Sequence, residues 1–541
     1  MLVPVAFRPV PTGRYGGGTA TVGPGAGAAC LHTPTGPGGG KSAAEREAGG
    51  GTGAADRDTT RGDHSVMPLT AVLRPVSDST FMPGFRSLDT ELSEHDLPVE
   101  GTVPGWLSGT LLRNGPGKFE GDGVRLRHWF DGLAMLRKYD FSDGAIRYSN
   151  RFLRTEAYED ALAGRPTGQF ATDERGLRKL RGWLSRLGPP EPTDNANVHV
   201  ARIDGDFVAQ TEVPRWRTFD AALGTREPFV FEDSLDPDMI TAHLVADPAR
   251  NEHVGHALSF GRTHEYQLFR IPDGTRRREP IASIPTDSPA YVHSIGVSAD
   301  RVALVETPLR IDVLRALSPF TEGFFELLDW KEGVDTKIYV VDRDTGRIVT
   351  EPTVGPFFTF HTINAFDDGE DLVVDLVAFA DDAIVDALRL ATLESEGFAA
   401  APPGRFVRLR IGPDGAVTRR QLYDGGMELP TVRADRQTRP YRYAYGQATD
   451  REGANGLVKV DTERETATEF WQRGLYVEEP IMVPRPAGGA EDAGVVLAPA
   501  LDTDAEASVL LVLDAATLDE LARARVPHHN PFGFHGRFFE R

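Results

Sequence analysis

Cysteine is nearly absent from this 541-residue chain: Cys30 is the only one. A single thiol excludes an intramolecular disulfide, a cysteine-built zinc site and an iron–sulfur cluster, and it suits a reducing compartment. Lysine is almost as scarce, with 7 residues against 52 arginines. The 59 basic residues are outnumbered by 80 acidic ones, for a net charge of −21. A surface with that balance repels phosphate backbones, so no nucleic-acid partner is expected. No run of about 18 apolar residues occurs, so no membrane-spanning helix is expected. Pro4 and Pro9 interrupt the apolar N-terminal residues, which therefore do not read as a secretory signal. A cytoplasmic protein is expected.

Glycine is plentiful but uneven. Residues 1–66 hold 16 of the 57 glycines, in runs such as Gly16-Gly17-Gly18 and Gly38-Gly39-Gly40. Such a segment buries too little apolar surface to offset its ordering entropy, so a disordered tail is expected there. Met67 could be the true start, with residues 67–541 forming the folded domain. Gly40-Lys41-Ser42 resembles the end of a phosphate loop, but Thr35 stands where that loop needs its first glycine.

From about residue 100 the pattern is one of short apolar runs separated by Gly, Asp, Asn and Pro. Phe207–Gln210 follows Asp204-Gly205-Asp206, and Ile338–Val341 precedes Asp342-Arg343-Asp344-Thr345-Gly346. These read as antiparallel strands joined by tight turns. Many such strands over more than 400 residues indicate an all-β propeller or a large barrel. Three stretches read as helical instead. Residues 173–187 place Leu177, Leu180, Trp183, Leu184 and Leu187 on one face and arginines on the others; residues 310–330 and 381–397 have Leu, Val and Phe at mixed spacings.

With cysteine missing from the folded part, any transition-metal site must be built from histidine and carboxylate. His243, His293, His361 and His535 each sit near an expected strand end or turn. Their separations, 50, 68 and 174 residues, form no local metal motif. Spacing alone favours isolated core or turn histidines over a shared site.

Several longer motifs change that reading. Gly109-Thr110-Leu111-Leu112-Arg113-Asn114-Gly115-Pro116 is followed by His128-Trp129-Phe130-Asp131-Gly132, then Thr193-Asp194-Asn195-Ala196-Asn197. Phe360-His361-Thr362-Ile363-Asn364-Ala365-Phe366, Glu479-Pro480-Ile481 and Pro531-Phe532-Gly533-Phe534-His535-Gly536 complete the series. In content and order this resembles the carotenoid cleavage oxygenase family over about residues 80–541. The resemblance implies a seven-bladed β-propeller with an α-helical dome, and Fe(2+) on the propeller axis. It implies His243, His293, His361 and His535 as the iron ligands. Glu212, Glu428 and Glu479 match the glutamates that stand behind ligand histidines in relatives, where a carboxylate on the far ring N–H fixes the tautomer. Phe152 and Thr211 match positions that line the substrate cleft. His128 is expected to be structural, as are His199, His253, His256, His264, His528 and His529.

The implied activity is oxidative cleavage, with O₂, of a conjugated C=C bond in a carotenoid or apocarotenoid to aldehyde products. No general base or nucleophile is required. The segment 173–187 resembles the family's membrane-contacting helix and suits peripheral contact with the inner face of a membrane. Rival readings are stilbene cleavage on the same scaffold, isomerase chemistry, and a non-enzymatic lipid-binding propeller. Stilbene-cleaving relatives carry a lysine where this chain has Thr211, which disfavours the first rival. Removing residues 1–66 is expected to leave the melting temperature and activity of the remainder nearly unchanged. Protection of amides in that segment from hydrogen exchange would contradict the expectation.

Overall fold

Two-residue turns of aspartate and glycine set the strand connections. Asp143 and Gly144, at φ 51° and 79°, place Ser142 opposite Ala145 and fold Leu133–Ser142 onto Ala145–Phe152. Asp204 and Gly205, at φ 51° and 83°, do the same for His199–Ile203 and Asp206–Gln210. Both central residues of such a turn need positive φ, which glycine adopts freely and aspartate tolerates.

The computed structural model describes residues 81–121, 124–165, 168–171, 192–316, 320, 323–398, 401–451, 455–486 and 488–541. The glycine-rich segment 1–66 and the basic amphipathic segment 173–187 lie outside the described residues. Among the described residues, seven antiparallel sheets of four to six strands follow one another along the chain. They are the blades of a seven-bladed propeller. The ring closes at both ends of the chain. Val99–Gly101 adds to the last sheet, with Val99 opposite Ala524. Gly536–Glu540 adds to the first, with Gly536 opposite Arg113 and Glu540 opposite Gly109.

Central blade strands are covered on both faces by neighbouring blades, so they do not alternate. In Ala507–Asp514 only the two terminal residues are less than fully buried, as expected for a strand packed on both sides. The buried charge in this core is paired. The Arg343 guanidinium, 1% exposed, reaches from one blade to Asp247 (2.8 Å) and Glu252 (2.6 Å) of the preceding one. It joins two sheets that share no ladder bond.

Helices are few and short: Glu156–Leu162, Val313–Ala316, Ala383–Ala387 and Leu390–Glu396 among the described residues. The helix expected over 310–330 is mostly something else. Leu309–Ile311 and Leu328–Trp330 pair as a two-stranded sheet, with short helical turns at Val313–Ala316 and Phe324–Leu327 between them. The expected helix over 381–397 is two helices, because Arg389 takes an extended backbone (ψ 136°) between them.

Arg343→Ala is expected to cost about 3–5 kcal/mol, since it leaves the buried Asp247 carboxylate without its cation and Glu252 with only Arg270, 3.8 Å away. A thermal or urea unfolding curve superimposable on that of the parent protein would show that the inter-blade pair holds nothing together.

Candidate metal centre

Residues from an edge strand of every sheet line one axial cavity, among them His199, Val245, Val297, Ala365, Val432, Val483 and Phe538. These edges therefore face the ring axis. The candidate ligands sit at the beginnings of such strands or beside them. His361 directly precedes Thr362–Asp368, His535 directly precedes Gly536–Glu540, His293 lies just before Gly296–Val297, and His243 follows Met239–Ile240. Four different blades thus supply four imidazoles, and one nitrogen of each falls within 4.8 Å of the others. His361 Nε2 lies 3.3 Å from His535 Nε2.

Which nitrogen faces the axis is set from behind. His293 Nδ1 donates to Glu212 (2.6 Å), His361 Nδ1 to Glu428 (2.6 Å) and His535 Nδ1 to Glu479 (2.7 Å). With Nδ1 carrying the proton, each Nε2 presents a lone pair to the centre. Nε2 of His243 is buried with no partner. A buried nitrogen acceptor left unpaired is costly, and four converging lone pairs are the donor set of a borderline divalent metal ion. The residues fit such an ion. Burial, reinforced by the neighbouring imidazoles, holds His243 and His535 well below the ordinary histidine range, so both stay neutral and able to ligate. Burial works the same way on His361, but Glu428, with Glu479 and Glu212 beyond it, raises that ring overall.

The carboxylates have supports that the motifs did not single out. The Tyr291 hydroxyl lies 3.1 and 3.0 Å from the two oxygens of Glu212. Glu479 accepts from the Arg113 guanidinium and from the Gly536 N–H at 2.9 Å. Arg113 also donates to the Phe534 carbonyl, 3.0 Å away, so it braces the loop that carries His535. The His199 ring stacks on His535 (5.4 Å, 10° between planes), and burial lowers it to about 3.

On one side of the centre lies an apolar pocket. Trp129, Phe130, Phe170, Tyr291, Phe360 and Phe534 contribute rings to it, and His293, His361 and His535 form part of its wall. Ile384 and Leu388 close it from the short helices. Two of the quoted motifs clamp each other here. The Asn195 and Asn197 amides donate to the Gly132 carbonyl (2.9 and 2.8 Å), and Asn197 also donates to the Phe130 carbonyl (2.9 Å). Asp131 accepts from the N–H groups of Gln169, Phe170 and Ala171 at 2.6, 2.8 and 3.1 Å, which fixes Phe170 on the wall. His128 donates to the Val385 carbonyl at 3.3 Å and accepts from the Phe130 N–H.

Thr211 lies on the pocket wall. Phe152 does not. It packs beneath the first blade with Leu88, Leu133, Met135 and Tyr158, because Leu133–Ser142 and its hairpin partner turn that side chain away from the pocket.

A propeller with four axial histidines able to hold a metal ion beside an apolar pocket is the class that fold and geometry define. The chain belongs to the carotenoid cleavage oxygenase family: the family profile described as retinal pigment epithelial membrane protein matches residues 85–540. The chain is 29% identical over 506 residues to the mitochondrial carotenoid-cleaving dioxygenase of Mustela putorius furo, covering 81% of this chain and 93% of that protein. It is 30% identical over 498 residues to the carotenoid isomerooxygenase of Galleria mellonella, covering 84% and 96%. Among solved structures, a single-residue variant of Synechocystis apocarotenoid oxygenase superposes with a TM-score of 0.78 at 26% identity, covering 86% of this chain and all of that one.

Glu212→Gln, Glu428→Gln and Glu479→Gln are each expected to lower metal affinity by about 10–100-fold with the fold intact. Metal content after dialysis, read beside circular dichroism, checks this; parental affinity in all three variants would show that the carboxylates do not orient the imidazoles.

Proposed function

We propose that this protein is an Fe(II)-dependent dioxygenase that cleaves a conjugated C=C bond of a carotenoid or apocarotenoid and releases aldehyde products. The observation that carries this reading is the convergence of four imidazole nitrogens, with three of the four rings on the wall of an aromatic pocket. Iron held by His243, His293, His361 and His535 would supply the activation of dioxygen, a task outside the reach of any side chain. The chain's own residues bind, orient and exclude water. Flat rings from Trp129, Phe130, Phe170, Phe360 and Phe534 offer faces and edges to a flat polyene, whose burial is favourable by about 25 cal/mol per Å² of apolar surface. Asp131, Asn195 and Asn197 keep those rings in place through backbone contacts and need no direct contact with substrate. Glu212, Glu428 and Glu479 fix the ring proton on Nδ1 and keep the imidazoles aimed.

A stilbene substrate fits less well. Neither lysine nor arginine lines the pocket among the described residues, and Thr211 occupies the wall where a phenol oxygen would need a charged partner. Isomerisation coupled to cleavage is a second reading, favoured by the similarity to an isomerooxygenase. We further propose that residues 173–187 lie on an anionic membrane surface, where a basic helix with Trp and Leu on one face would collect an apolar substrate, in a protein otherwise in the cytoplasm.

The decisive assay compares β-carotene, an apocarotenal and resveratrol, with and without O₂, with products identified by mass. Aldehydes from a polyene, formed only with O₂, are expected, and His361→Ala should lose iron and turnover together. Efficient resveratrol cleavage with neither polyene touched would reverse the assignment. Replacing Leu180, Trp183 and Leu184 by Ser should impair use of liposome-delivered substrate more than detergent-dispersed substrate. Equal loss in both formats would make the segment structural.

A further inference from the structure

The pocket that reaches the metal centre is apolar on most of its wall, but one part is built for oxygen. Strands Tyr443–Ala448 and Gly456–Asp461 pair with Ala448 opposite Gly456, so the next pair outward is Thr449 and Asn455. Both line the pocket. Asn455 is 5% exposed, and among the described residues its side-chain amide meets no hydrogen-bond partner. Thr449 Oγ1 is buried and also without a partner. Its place is made by a glycine: a Cβ added at Gly426 would stand 2.6 Å from that oxygen. By contrast, Asn195, Asn197 and Gln447 of the same pocket use their amides on backbone carbonyls.

The pair has a defined relation to the chemistry. Gln447 stands opposite Glu428, whose carboxylate holds His361. Thr449 is two residues further along the strand, about 7 Å at the usual rise. One pocket therefore runs from the histidines to an unpaired hydroxyl and an unpaired amide. The charges along it exclude one kind of ligand. Asp131, Glu212, Glu428 and Glu478 all line it, with no lysine or arginine among the described lining residues. Among the described lining residues a carboxylate end would find no lysine or arginine to pair with.

We infer that Thr449 and Asn455 form a subsite for a neutral oxygen, an alcohol or an aldehyde, at the end of a polyene bound across the metal centre. The inference rests on the polyene-cleaving reading above and narrows its substrate to oxygen-ended polyenes. Both side chains donate as well as accept, so they serve a hydroxyl or a carbonyl equally. A polyene ending in methyl leaves both groups unpaired, and a buried polar site left unfilled discriminates strongly.

The test uses the full-length iron-bound protein and four polyenes of one length, ending in alcohol, aldehyde, methyl or carboxylate. Binding is read from tryptophan quenching and the shift of the polyene absorbance, and turnover is measured on the same samples. The alcohol and aldehyde should bind about 10-fold more tightly than the methyl form, with the acid weakest. In Thr449→Val and Asn455→Leu the preference over methyl should collapse to within about twofold, while Thr449→Ser, which keeps the hydroxyl, should retain it. An undiminished preference in folded Thr449→Val and Asn455→Leu protein, or tightest binding by the acid, overturns the subsite. Selective binding with no cleavage of any polyene supports the subsite and overturns the cleavage reading. No binding of any polyene overturns both.

Discussion

Three hydrogen bonds from imidazole Nδ1 to a buried or partly buried carboxylate determine where this protein keeps its unshared electron pairs. Each carboxylate takes a ring proton on the outer side and so leaves Nε2 bare on the inner side. Burying three carboxylates is costly unless each is compensated. Glu479 has the Arg113 guanidinium and the Gly536 N–H. Glu212 has a tyrosine hydroxyl and a histidine, and Glu428 a histidine and the Leu429 N–H. Neither of these two pairs with a lysine or arginine among the described residues. A divalent cation at the point where the four rings meet would supply the positive charge that these carboxylates lack. The raised tendency of His361 to hold a proton expresses the same imbalance.

The rest of the pocket is held by polar groups that point away from it. Asp131, Asn195 and Asn197 sit at the edge of the aromatic wall, yet their bonds run to backbone groups. Rings make few directional bonds of their own, so a wall of rings stays open only if the backbone beneath it is fixed. This explains why the His128–Gly132 and Thr193–Asn197 motifs, far apart in sequence, carry so much polar character beside an apolar space.

Tight turns and short strands are legible in the sequence because aspartate and glycine at positive φ leave a local mark. Blade number is not, since no stretch of sequence encodes how many sheets close a ring; it came by resemblance. The ligand histidines lack any local spacing because each comes from a different blade, and only the surrounding motifs distinguish them. Residues 310–330 mislead for a physical reason. Their apolar side chains fall at mixed spacings, and the ends, Leu309–Ile311 and Leu328–Trp330, satisfy their backbone bonds with each other rather than along a helix. Tyr291 and Arg113 were both in view, one beside His293 and the other inside the first motif, but their partners lie 79 and 366 residues away. Phe152 shows the converse: a matching position whose side chain points into a different cluster.

Because each donor stands at the axial edge of its own blade, the coordination radius and the circumference of the ring are one quantity. Adding or deleting a blade, the ordinary way in which repeat architectures diversify, would widen or tighten the ring and move all four nitrogens at once. It would also separate Glu479, in the last blade, from His535, just before the strand that closes the first. Loops, lids and pocket walls can vary freely in descendants of this chain, but the count of blades is frozen by a cluster of atoms less than 5 Å across.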